Sequence, residues 1–344
     1  MPRRVFCFFI VFVAHLYAGW NDDFDSSTEK LVAELSDLSN SGYLDSYECF
    51  VDVRRSLLKN ASLKNRMKNA FYDDKFIVDN PVYGCILKKR KYDNIKECFV
   101  WEVSHFLNAS QFFVPSFAID IGGRKSIVQR KESFIIGEDS SYSHPKNFIE
   151  MVSLIDFWKS HLVLYILGGK DLVARNIGIN SRGELRFFDM ENSFVYSFKK
   201  EMINTRVQFA MHSFDWPQYR RPLDEIEAKE LEGFIGSWRG FEKKISLYMK
   251  YRPTHFSIER MFQRLAKVRS FSLEKGKSFC DFYGFLFPER ALALEELNQI
   301  VSEIKGVEVD HGTALCLISS KSELARLSLS HRNALEKWAN KNLK

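Results

Sequence analysis

Two aspartates, Asp171 and Asp189, lie eighteen positions apart and bracket a short predicted β-hairpin. The apolar segments 177–179 and 185–188 are strand candidates, and the Asn-Ser-Arg-Gly sequence between them is typical of a tight turn. A hairpin brings its two ends together, so Asn176 and Asp171 before the first strand should converge with Asp189 after the second. Magnesium prefers oxygen ligands, usually one or two carboxylates together with substrate phosphates. The spacing therefore predicts a site for a metal-nucleotide complex.

The same run resembles the catalytic loop of protein kinases, in which D-L-x-x-x-x-N is followed by a hairpin and a metal-binding aspartate. The matching residues are Asp171, Leu172, Asn176 and Asp189. The resemblance implies that Asp171 orients or deprotonates the acceptor hydroxyl, and that Asn176 and Asp189 hold magnesium on ATP. Glu191, two residues beyond Asp189, is either a further ligand or an exposed side chain.

The chain also departs from ordinary protein kinases. Gly-Lys precedes Asp171 where those enzymes have His-Arg, and Met-Glu follows Asp189 where they have Phe-Gly. The sequence contains neither a G-x-G-x-x-G loop upstream nor an A-P-E motif downstream. These departures indicate an atypical branch of the superfamily.

The upstream sequence narrows the branch. Lys88 ends a predicted strand, Glu97 lies on a predicted helix over 94–108, and Val-Pro at 114–115 precedes a strand-like Ser-x-x-Gln at 126–129. This order resembles type II phosphatidylinositol 4-kinases and the secretory-pathway kinases, within the atypical protein-kinase-like superfamily. The resemblance implies that Lys88 pairs with Glu97 and contacts the nucleotide phosphates.

Alternatives stay open for both residues. Lys89 is adjacent to Lys88, and Glu102 lies on the same predicted helix as Glu97 but at a different angle. Without a shared site, Lys88 would belong to a solvated basic run and Glu97 to an exposed helix face. A looser likeness to the type II lipid kinases lies at 214–225, around a Trp-Pro-Gln sequence.

The elements and the resemblance together imply an α+β, bilobal protein-kinase-like fold. The small β-rich N-lobe would span 47–136 with one main helix, and the larger, mostly helical C-lobe would span 137–344. Within the C-lobe, a buried helix should end at Gly168 and lead into the catalytic loop. Another helix should begin at Asp224, with Glu227 completing a capping box.

The N-terminus predicts export. Arg3 and Arg4 precede the apolar run 5–13, and small residues follow at 18–19, which is typical of a signal peptide over 1–18. Nine apolar residues are too few for a permanent membrane span, which needs about 20, although an uncleaved anchor remains an alternative. The polar segment 19–46 is expected to be a loosely held leader. The expected location is secreted or extracytoplasmic, in a secretory lumen or inside a host cell, where ATP is present.

Composition excludes several other classes. The net charge of +6 is too small to indicate nucleic-acid binding. The sequence has no H-E-x-x-H, G-x-S-x-G or P-loop motif. The six cysteines form no recognisable metal or disulfide pattern. The 31 phenylalanines are mainly core material, and exposed copies would offer peripheral membrane contact.

The expected function is an ATP- and magnesium-dependent phosphotransferase. Its acceptor would be a hydroxyl group of a protein or of a phosphoinositide-type lipid. The rival hypothesis is an exported pseudokinase that acts as a binding module. The absence of the His-Arg pair and of the glycine-rich loop favours the rival, whereas the presence of both aspartates together with Asn176 favours the enzyme.

Overall fold

The structure is a computed structural model in which the chain divides into two compact units. The first comprises Met1–Glu132 and Trp238–His255, and the second comprises Ser133–Ser237 and Phe256–Lys344. The structure describes residues 20–59, 75–79, 84–89, 95–120, 125–130, 132–136, 144–169, 176–190, 193, 216–252, 258–309, 314, 317 and 321–342. The predicted signal peptide and the catalytic-loop residue Asp171 lie outside these ranges.

The first unit is built around a four-stranded antiparallel sheet with strand order β1-β2-β4-β3. Its strands are β1 (Lys75–Asp79), β2 (Gly84–Lys89), β3 (Ser116–Asp120) and β4 (Lys125–Arg130). The strands predicted at 83–88 and 126–129 are confirmed as β2 and β4. Strand β4 lies between β2 and β3, so the strand that carries Lys88 is directly hydrogen-bonded to the strand that carries Gln129.

Helix α4 packs on this sheet. The helices of the first unit are α1 (Trp20–Glu34), α2 (Ser36–Asn40), α3 (Tyr43–Lys59), α4 (Ile95–His105) and α9 (Phe241–Tyr251). Cys98 on α4 joins Ala118 and Ile127 in a buried cluster against the sheet. The helix ends in a turn at Asn108, which has a left-handed φ of 49°, a conformation that asparagine tolerates better than most residues. The predicted helix over 94–108 is confirmed.

The segment expected to be a loosely held leader is instead helical from Trp20 onwards. Leu31 on α1, Leu35 at the break between the helices and Leu38 on α2 are all buried, so both short helices are anchored by apolar side chains. Further along, Phe50 on α3 stacks on Phe117 of β3 with a ring-centroid distance of 4.5 Å. The average composition of this segment is polar and does not reveal the buried side chains, because a few well-spaced leucines are enough to anchor a helix.

Helix α9 also belongs to the first unit, although it follows much of the second unit in sequence. The indole nitrogen of Trp238 donates a hydrogen bond to the carbonyl oxygen of Leu107 at 2.9 Å. The sequence alone places this part of the chain in the large lobe and predicts one main helix beside the sheet. The described part of this unit contains α1 to α3 and α9 in addition to α4.

The second unit contains a three-stranded antiparallel sheet of order β5-β6-β7 and a set of helices. Its strands are β5 (Ile135–Ile136), β6 (Ile177–Ile179) and β7 (Leu185–Phe187). Its helices are α5 (Lys146–Ile149), α6 (Leu154–Ile166), α7 (Pro217–Arg220), α8 (Glu225–Gly236), α10 (Ile258–Arg269), α11 (Phe279–Leu286), α12 (Pro288–Lys305), α13 (Lys321–Arg326) and α14 (Leu329–Asn342). The predicted hairpin is confirmed as β6 and β7.

Helix α6 forms the centre of the second unit. It starts at Ser153, whose hydroxyl accepts a hydrogen bond from the backbone N–H of Asp156 at 3.0 Å. Ten of its thirteen residues are buried, as expected of a helix that is surrounded by other elements. Trp158 on this helix packs edge-on against Phe279 of α11, with a centroid distance of 5.0 Å. This aromatic core supports the hairpin, since Phe187 of β7 contacts the same helix through His161.

The predicted capping box of α8 is also confirmed. The carboxylate of Asp224 accepts from the backbone N–H of Glu227 at 2.8 Å, and the Glu227 carboxylate accepts from the Asp224 N–H at 2.9 Å. The protein is thus of the α+β class and mostly helical, and its described residues form two small sheets. Among the described residues, no helix combines the length and apolar character needed to cross a membrane.

Candidate functional site

The β6–β7 hairpin is held rigidly at its tip. The Asn180 side-chain oxygen accepts from the backbone N–H groups of Arg182 and Glu184, each at 2.9 Å. This is the local turn chemistry that favours asparagine at such positions. Gly183 has a φ of +79°, and a Cβ atom built there would lie 2.3 Å from the Met151 carbonyl oxygen. Both conditions require glycine, so the turn has little freedom to slip and the strand register is fixed.

The base of the hairpin brings Asn176 close to the segment that carries Asp189. Ile177 pairs with Phe187 in the register, and one residue further on the Phe188 N–H donates to the Asn176 carbonyl oxygen at 3.0 Å. Asn176 is 4% exposed, while Asp189 is half-buried. An amide and a carboxylate, the two residues predicted as magnesium ligands, are therefore held at one end of a rigid hairpin.

Asp189 has an unusual backbone conformation. Its φ is +59°, in the left-handed region. Aspartate, like asparagine, adopts this conformation more readily than other non-glycine residues, at a cost of about 1 kcal/mol, and left-handed non-glycine residues are enriched at functional sites. The chain turns sharply at this residue, and the next side chain, Met190, is buried. The aspartate thus marks the point where the β7 strand ends in a strained turn.

The chain enters the predicted catalytic loop next to the turn at Asp189. A Cβ atom built on Gly169 would lie 3.3 Å from Met190 Cε and 3.2 Å from Leu164 Cδ2. Gly169 is the last described residue before the loop, and Asn176 is the first described residue after it. Both flanks of the loop therefore lie beside the turn at Asp189. Asp171 itself and Glu191 lie outside the described residues.

Gly168 is the predicted left-handed terminus of α6, and its φ is +62°. A Cβ atom there would lie 2.0 Å from the Nη1 atom of Arg264 on α10. The Arg264 guanidinium also lies 5.9 Å from the centroid of the Tyr165 ring, within the range of a cation–π contact. Glycine is needed here for its left-handed backbone, whereas the flexible arginine side chain can move aside for a larger residue.

Two buried histidines contact the hairpin, His144 at β6 and His161 at β7. His144 Nε2 lies 2.8 Å from the Ile177 carbonyl oxygen, and His161 Nδ1 lies 2.7 Å from the Phe157 carbonyl oxygen. Each of these ring nitrogens therefore carries a hydrogen and donates it. Burial lowers the pKa of His144, partly offset by its hydrogen bond, and lowers the pKa of His161 to about 4. Both are neutral structural groups near pH 7.

In the first unit, Glu97 is buried and belongs to a polar chain that crosses two strands. Its Oε2 atom accepts from Gln129 Nε2 at 3.1 Å, and Gln129 Nε2 lies 2.8 Å from Ser116 Oγ. The sequence predicted the strand that contains Gln129 but assigned no role to its side chain. Its position on the strand was visible in the sequence, whereas its contact with Glu97 depends on how α4 packs.

The backbone register separates Lys88 from its neighbour. Position 88 on β2 lies opposite Ile127, whereas position 89 lies opposite Ser126. Directly opposed residues occupy the same face of a sheet, and faces alternate along a strand. Position 88 therefore falls on the sheet face of Ile127 and Gln129, the face against which α4 packs, and position 89 falls on the other. The side chains of both lysines lie outside the described part.

Glu102, the rival of Glu97, has a different environment. Its carboxylate accepts from Tyr43 Oη at 2.8 Å and from Tyr248 Oη at 2.5 Å, and it lies 3.5 Å from Arg252 Nε. The Arg252 guanidinium in turn donates to the hydroxyls of Ser27 and Thr28 on α1. We call the set Glu102, Tyr43, Tyr248 and Arg252 the Glu102 cluster. It ties α9 and the N-terminal helices to α4.

Electrostatics within the Glu102 cluster are consistent with a structural role. Burial alone would lower the pKa of Arg252, but the charge of Glu102 and the two tyrosines hold that pKa above its usual value. Burial and the Glu102 charge raise the pKa of Tyr43 and Tyr248 well above the usual range. The cluster therefore consists of an ion pair with two protonated hydroxyls. Sequence reasoning missed it, because Tyr43, Glu102 and Tyr248 are far apart along the chain and carry no local pattern.

The residues around the hairpin fit only one kind of magnesium site, in which nucleotide phosphates and water supply most of the ligands. Among the described residues, no group of three or more histidine, cysteine, aspartate or glutamate side chains is arranged to hold a metal ion. A magnesium ion bound mainly by phosphates and water needs just one or two protein carboxylates. Asp189 supplies one such carboxylate, and the Phe188 hydrogen bond holds the Asn176 backbone beside its segment.

No protein-family model matches the chain, and the comparison with curated proteins finds no match.

Proposed function

We propose that the protein is an ATP- and magnesium-dependent phosphotransferase that transfers the γ-phosphate to a hydroxyl group of a protein or a phosphoinositide-type lipid. The observation that carries the proposal is the geometry of Asp189. This aspartate closes a rigid hairpin in a strained left-handed conformation, beside a segment hydrogen-bonded to Asn176. Left-handed non-glycine residues are enriched at ligand-binding sites, which supports a binding role for this aspartate.

In this proposal the chain's own residues bind and orient the reactants. Asn176 and Asp189 hold the metal-nucleotide complex, and Asp171 accepts or orients the proton of the acceptor hydroxyl. When bound, magnesium neutralises charge on the phosphates, which is the main electrostatic requirement of phosphoryl transfer. The rigid turn at Asn180 and Gly183 supports this role, because positioning contributes much of the rate.

Lys88 and Glu97 are the proposed phosphate-binding pair. The register of position 88, on the sheet face against which α4 packs, supports Lys88 over Lys89. The use of Glu102 in a buried ion pair with Arg252 supports Glu97 over Glu102. A lysine on a strand followed by a glutamate on the next helix is the arrangement that protein kinases use to hold phosphates.

A bilobal protein-kinase-like arrangement is the finer part of the proposal. It is supported by the order of elements along the chain. A lysine-bearing strand is followed by a glutamate-bearing helix and two further strands, and then by a mostly helical unit that contains the hairpin. The predicted signal peptide leads us to propose further that the protein acts in a secretory lumen or in a host cell reached by secretion.

The second candidate is an exported pseudokinase that binds a partner without catalysis. Met190 occupies the position after Asp189 where protein kinases have phenylalanine, and it is buried, with its Cε atom 3.3 Å from where a Cβ on Gly169 would lie. This favours a site that departs from ordinary kinases in its activation machinery. A binding module and an enzyme differ in what they do with nucleotide, so one series of measurements separates them.

The first test is a thermal-shift titration with ATP and magnesium on the full chain. A ligand that binds the folded state raises the melting temperature. We expect a magnesium-dependent shift that Asp189→Ala abolishes and Asp171→Ala retains. Asp52→Ala, at an exposed carboxylate on α3, is the matched control and should behave as wild type.

The second test is transfer of radiolabelled phosphate from ATP to a panel of proteins and phosphoinositides. Transfer by wild type that is lost in both Asp171→Ala and Asp189→Ala supports the enzyme. A nucleotide shift without any transfer supports the pseudokinase. Absence of both the shift and the transfer at millimolar ATP contradicts the nucleotide-binding proposal itself.

A further inference from the structure

A directed chain of hydrogen bonds runs from the backbone before β3 to the carboxylate of Glu97. Ser116 Oγ donates to the Val114 carbonyl oxygen at 2.9 Å. Gln129 Nε2 then donates to Ser116 Oγ at 2.8 Å and to Glu97 Oε2 at 3.1 Å. Glu97, Ser116 and Gln129 are all buried, so the chain works largely out of contact with water.

The chemistry of the partners fixes the direction of this chain. An ionised carboxylate only accepts hydrogen bonds, and the Ser116 hydroxyl has given its single hydrogen to Val114. The group between them must therefore supply two hydrogens, and the amide nitrogen of glutamine carries two. A flipped Gln129 amide would present an oxygen to two acceptors and is excluded. Glutamate or leucine at position 129 would lose one or both donations.

The anchor of the chain is itself restricted. Val114 precedes Pro115, and a residue before proline is confined to extended conformations. The direction of the Val114 carbonyl is therefore limited before any side chain is added. The Val-Pro pair at 114–115 and the glutamine of the Ser-x-x-Gln strand thus belong to one hydrogen-bonded device with Glu97.

The position of this device relates it to the proposed phosphate-binding pair. Gln129 lies two residues from Ile127 on β4, and Ile127 is the register partner of position 88 on β2. Residues two apart on a strand share a face. The device therefore holds the Glu97 carboxylate over the sheet face on which position 88 falls.

We propose that Gln129 is a positioning residue for Glu97 and that Ser116, with the Val114 carbonyl, orients Gln129. This role rests on the proposed function. It makes nucleotide affinity depend in part on Gln129, a residue that need not touch the nucleotide. Gln129 fixes one carboxylate oxygen of Glu97, so the carboxylate is presented to Lys88 in one orientation. Without the amide, the buried carboxylate would rotate towards other donors and the phosphate-binding pair would be misaligned.

The test measures magnesium-ATP affinity by calorimetric titration on the full chain, together with the urea midpoint of each variant. Gln129→Leu removes both donated hydrogens at nearly constant size, and we expect affinity to fall about tenfold or more, the usual consequence of losing a hydrogen bond to a charged group. Ser116→Ala leaves Glu97 and Gln129 in contact and should weaken affinity by only about threefold. Gln129→Glu is the second variant in case the leucine variant is poorly folded. It keeps the shape but opposes two carboxylates, and its affinity should also fall about tenfold.

Tyr43→Phe is the matched control. It removes a buried hydroxyl that donates to a carboxylate in the same unit, at Glu102, so it should lower the urea midpoint and leave nucleotide affinity unchanged. Affinity in Gln129→Leu and Gln129→Glu within twofold of wild type overturns the positioning role while leaving the proposed function intact. Failure of wild type to bind magnesium-ATP overturns both.

Discussion

Replacing Glu102 by glutamine should destabilise the first unit severely while leaving nucleotide binding intact. The side chain is 1% exposed, and its carboxylate is the acceptor for two tyrosine hydroxyls and the ion-pair partner of Arg252. Glutamine has the same shape but no charge, and half of its head group is a donor. One tyrosine hydroxyl would then face an N–H group, and the Arg252 guanidinium would lose its counter-charge.

The magnitude follows from the burial of both partners. The side chains of Arg252 and Glu102 are 3% and 1% exposed, so solvent screens their interaction very little. Removing one member of a buried pair costs about 3–5 kcal/mol, because the other charge stays buried without compensation. Folded domains have about 5–15 kcal/mol of total stability. Glu102→Gln should therefore remove a large fraction of the stability of this unit.

Urea unfolding followed by tryptophan fluorescence measures the effect, since Trp101 and Trp238 are buried in the first unit. The double variant Glu102→Leu/Arg252→Met should recover only part of the loss, because it removes both buried charges but leaves the Tyr43 and Tyr248 hydroxyls without their acceptor. Glu97→Gln is the contrasting variant, and it should weaken magnesium-ATP binding with a smaller change in urea midpoint. A free energy of unfolding for Glu102→Gln that lies less than about 1 kcal/mol below the wild-type value would refute the reasoning. A stable Glu102→Gln protein without nucleotide affinity would instead assign the nucleotide role to Glu102.

Three further predictions concern residues of the second unit, and their control, Gly240, lies in the first unit. Gly183→Ala should cost about 2 kcal/mol or more, from the left-handed backbone and from the clash of its Cβ with the Met151 carbonyl oxygen; Gly240→Ala, left-handed but in open space, should cost about 1 kcal/mol, and equal urea midpoints would contradict the clash. His161 keeps a pKa of about 4 when folded against 6.5 when unfolded, so stability should be full above pH 6.5 and fall by up to about 3 kcal/mol towards pH 4; an unchanged pH slope in His161→Phe would argue against this. Asp224→Ala should cost about 1 kcal/mol through loss of the helix cap, measured by thermal unfolding, and no change would mean that the capping box is not stabilising.

The elements that sequence analysis predicted well are those specified by neighbouring residues. The hairpin follows from two apolar runs and an Asn-to-Gly turn, and all of the hydrogen bonds of the Asn180 turn lie within five residues. The Asp224 capping box and the left-handed end of α6 at Gly168 are equally local. Such features depend on steric and hydrogen-bonding preferences that a short segment carries with it.

The elements that it predicted poorly are those whose partner is distant. The segment around Leu31 and Leu38 looked polar and loosely held, and its burial depends on β3 and α9, which follow much later in the chain. The assignment of α9 to the first unit could not be predicted either, because the residues between the two parts belong to the second. Composition averages over a segment, whereas burial depends on single side chains that meet a partner surface.

The candidate site divides in the same way. By itself, the sequence identified which residue types carry the proposed chemistry, namely Lys88, Glu97, Asp171, Asn176 and Asp189, and it predicted the hairpin that holds the last two. Those residues belong to short patterns whose spacing is set by the geometry of one turn or one helix.

Only the tertiary structure distinguished Glu97 from Glu102, gave Gln129 a contact and revealed the strained backbone of Asp189. The two glutamates have the same chemistry and lie on the same helix, so sequence cannot rank them. They differ in which side chains from remote segments surround them, and only packing determines that environment. The position of a functional group is thus specified locally, whereas its hydrogen-bond partners, its burial and its charge balance are set by the whole fold.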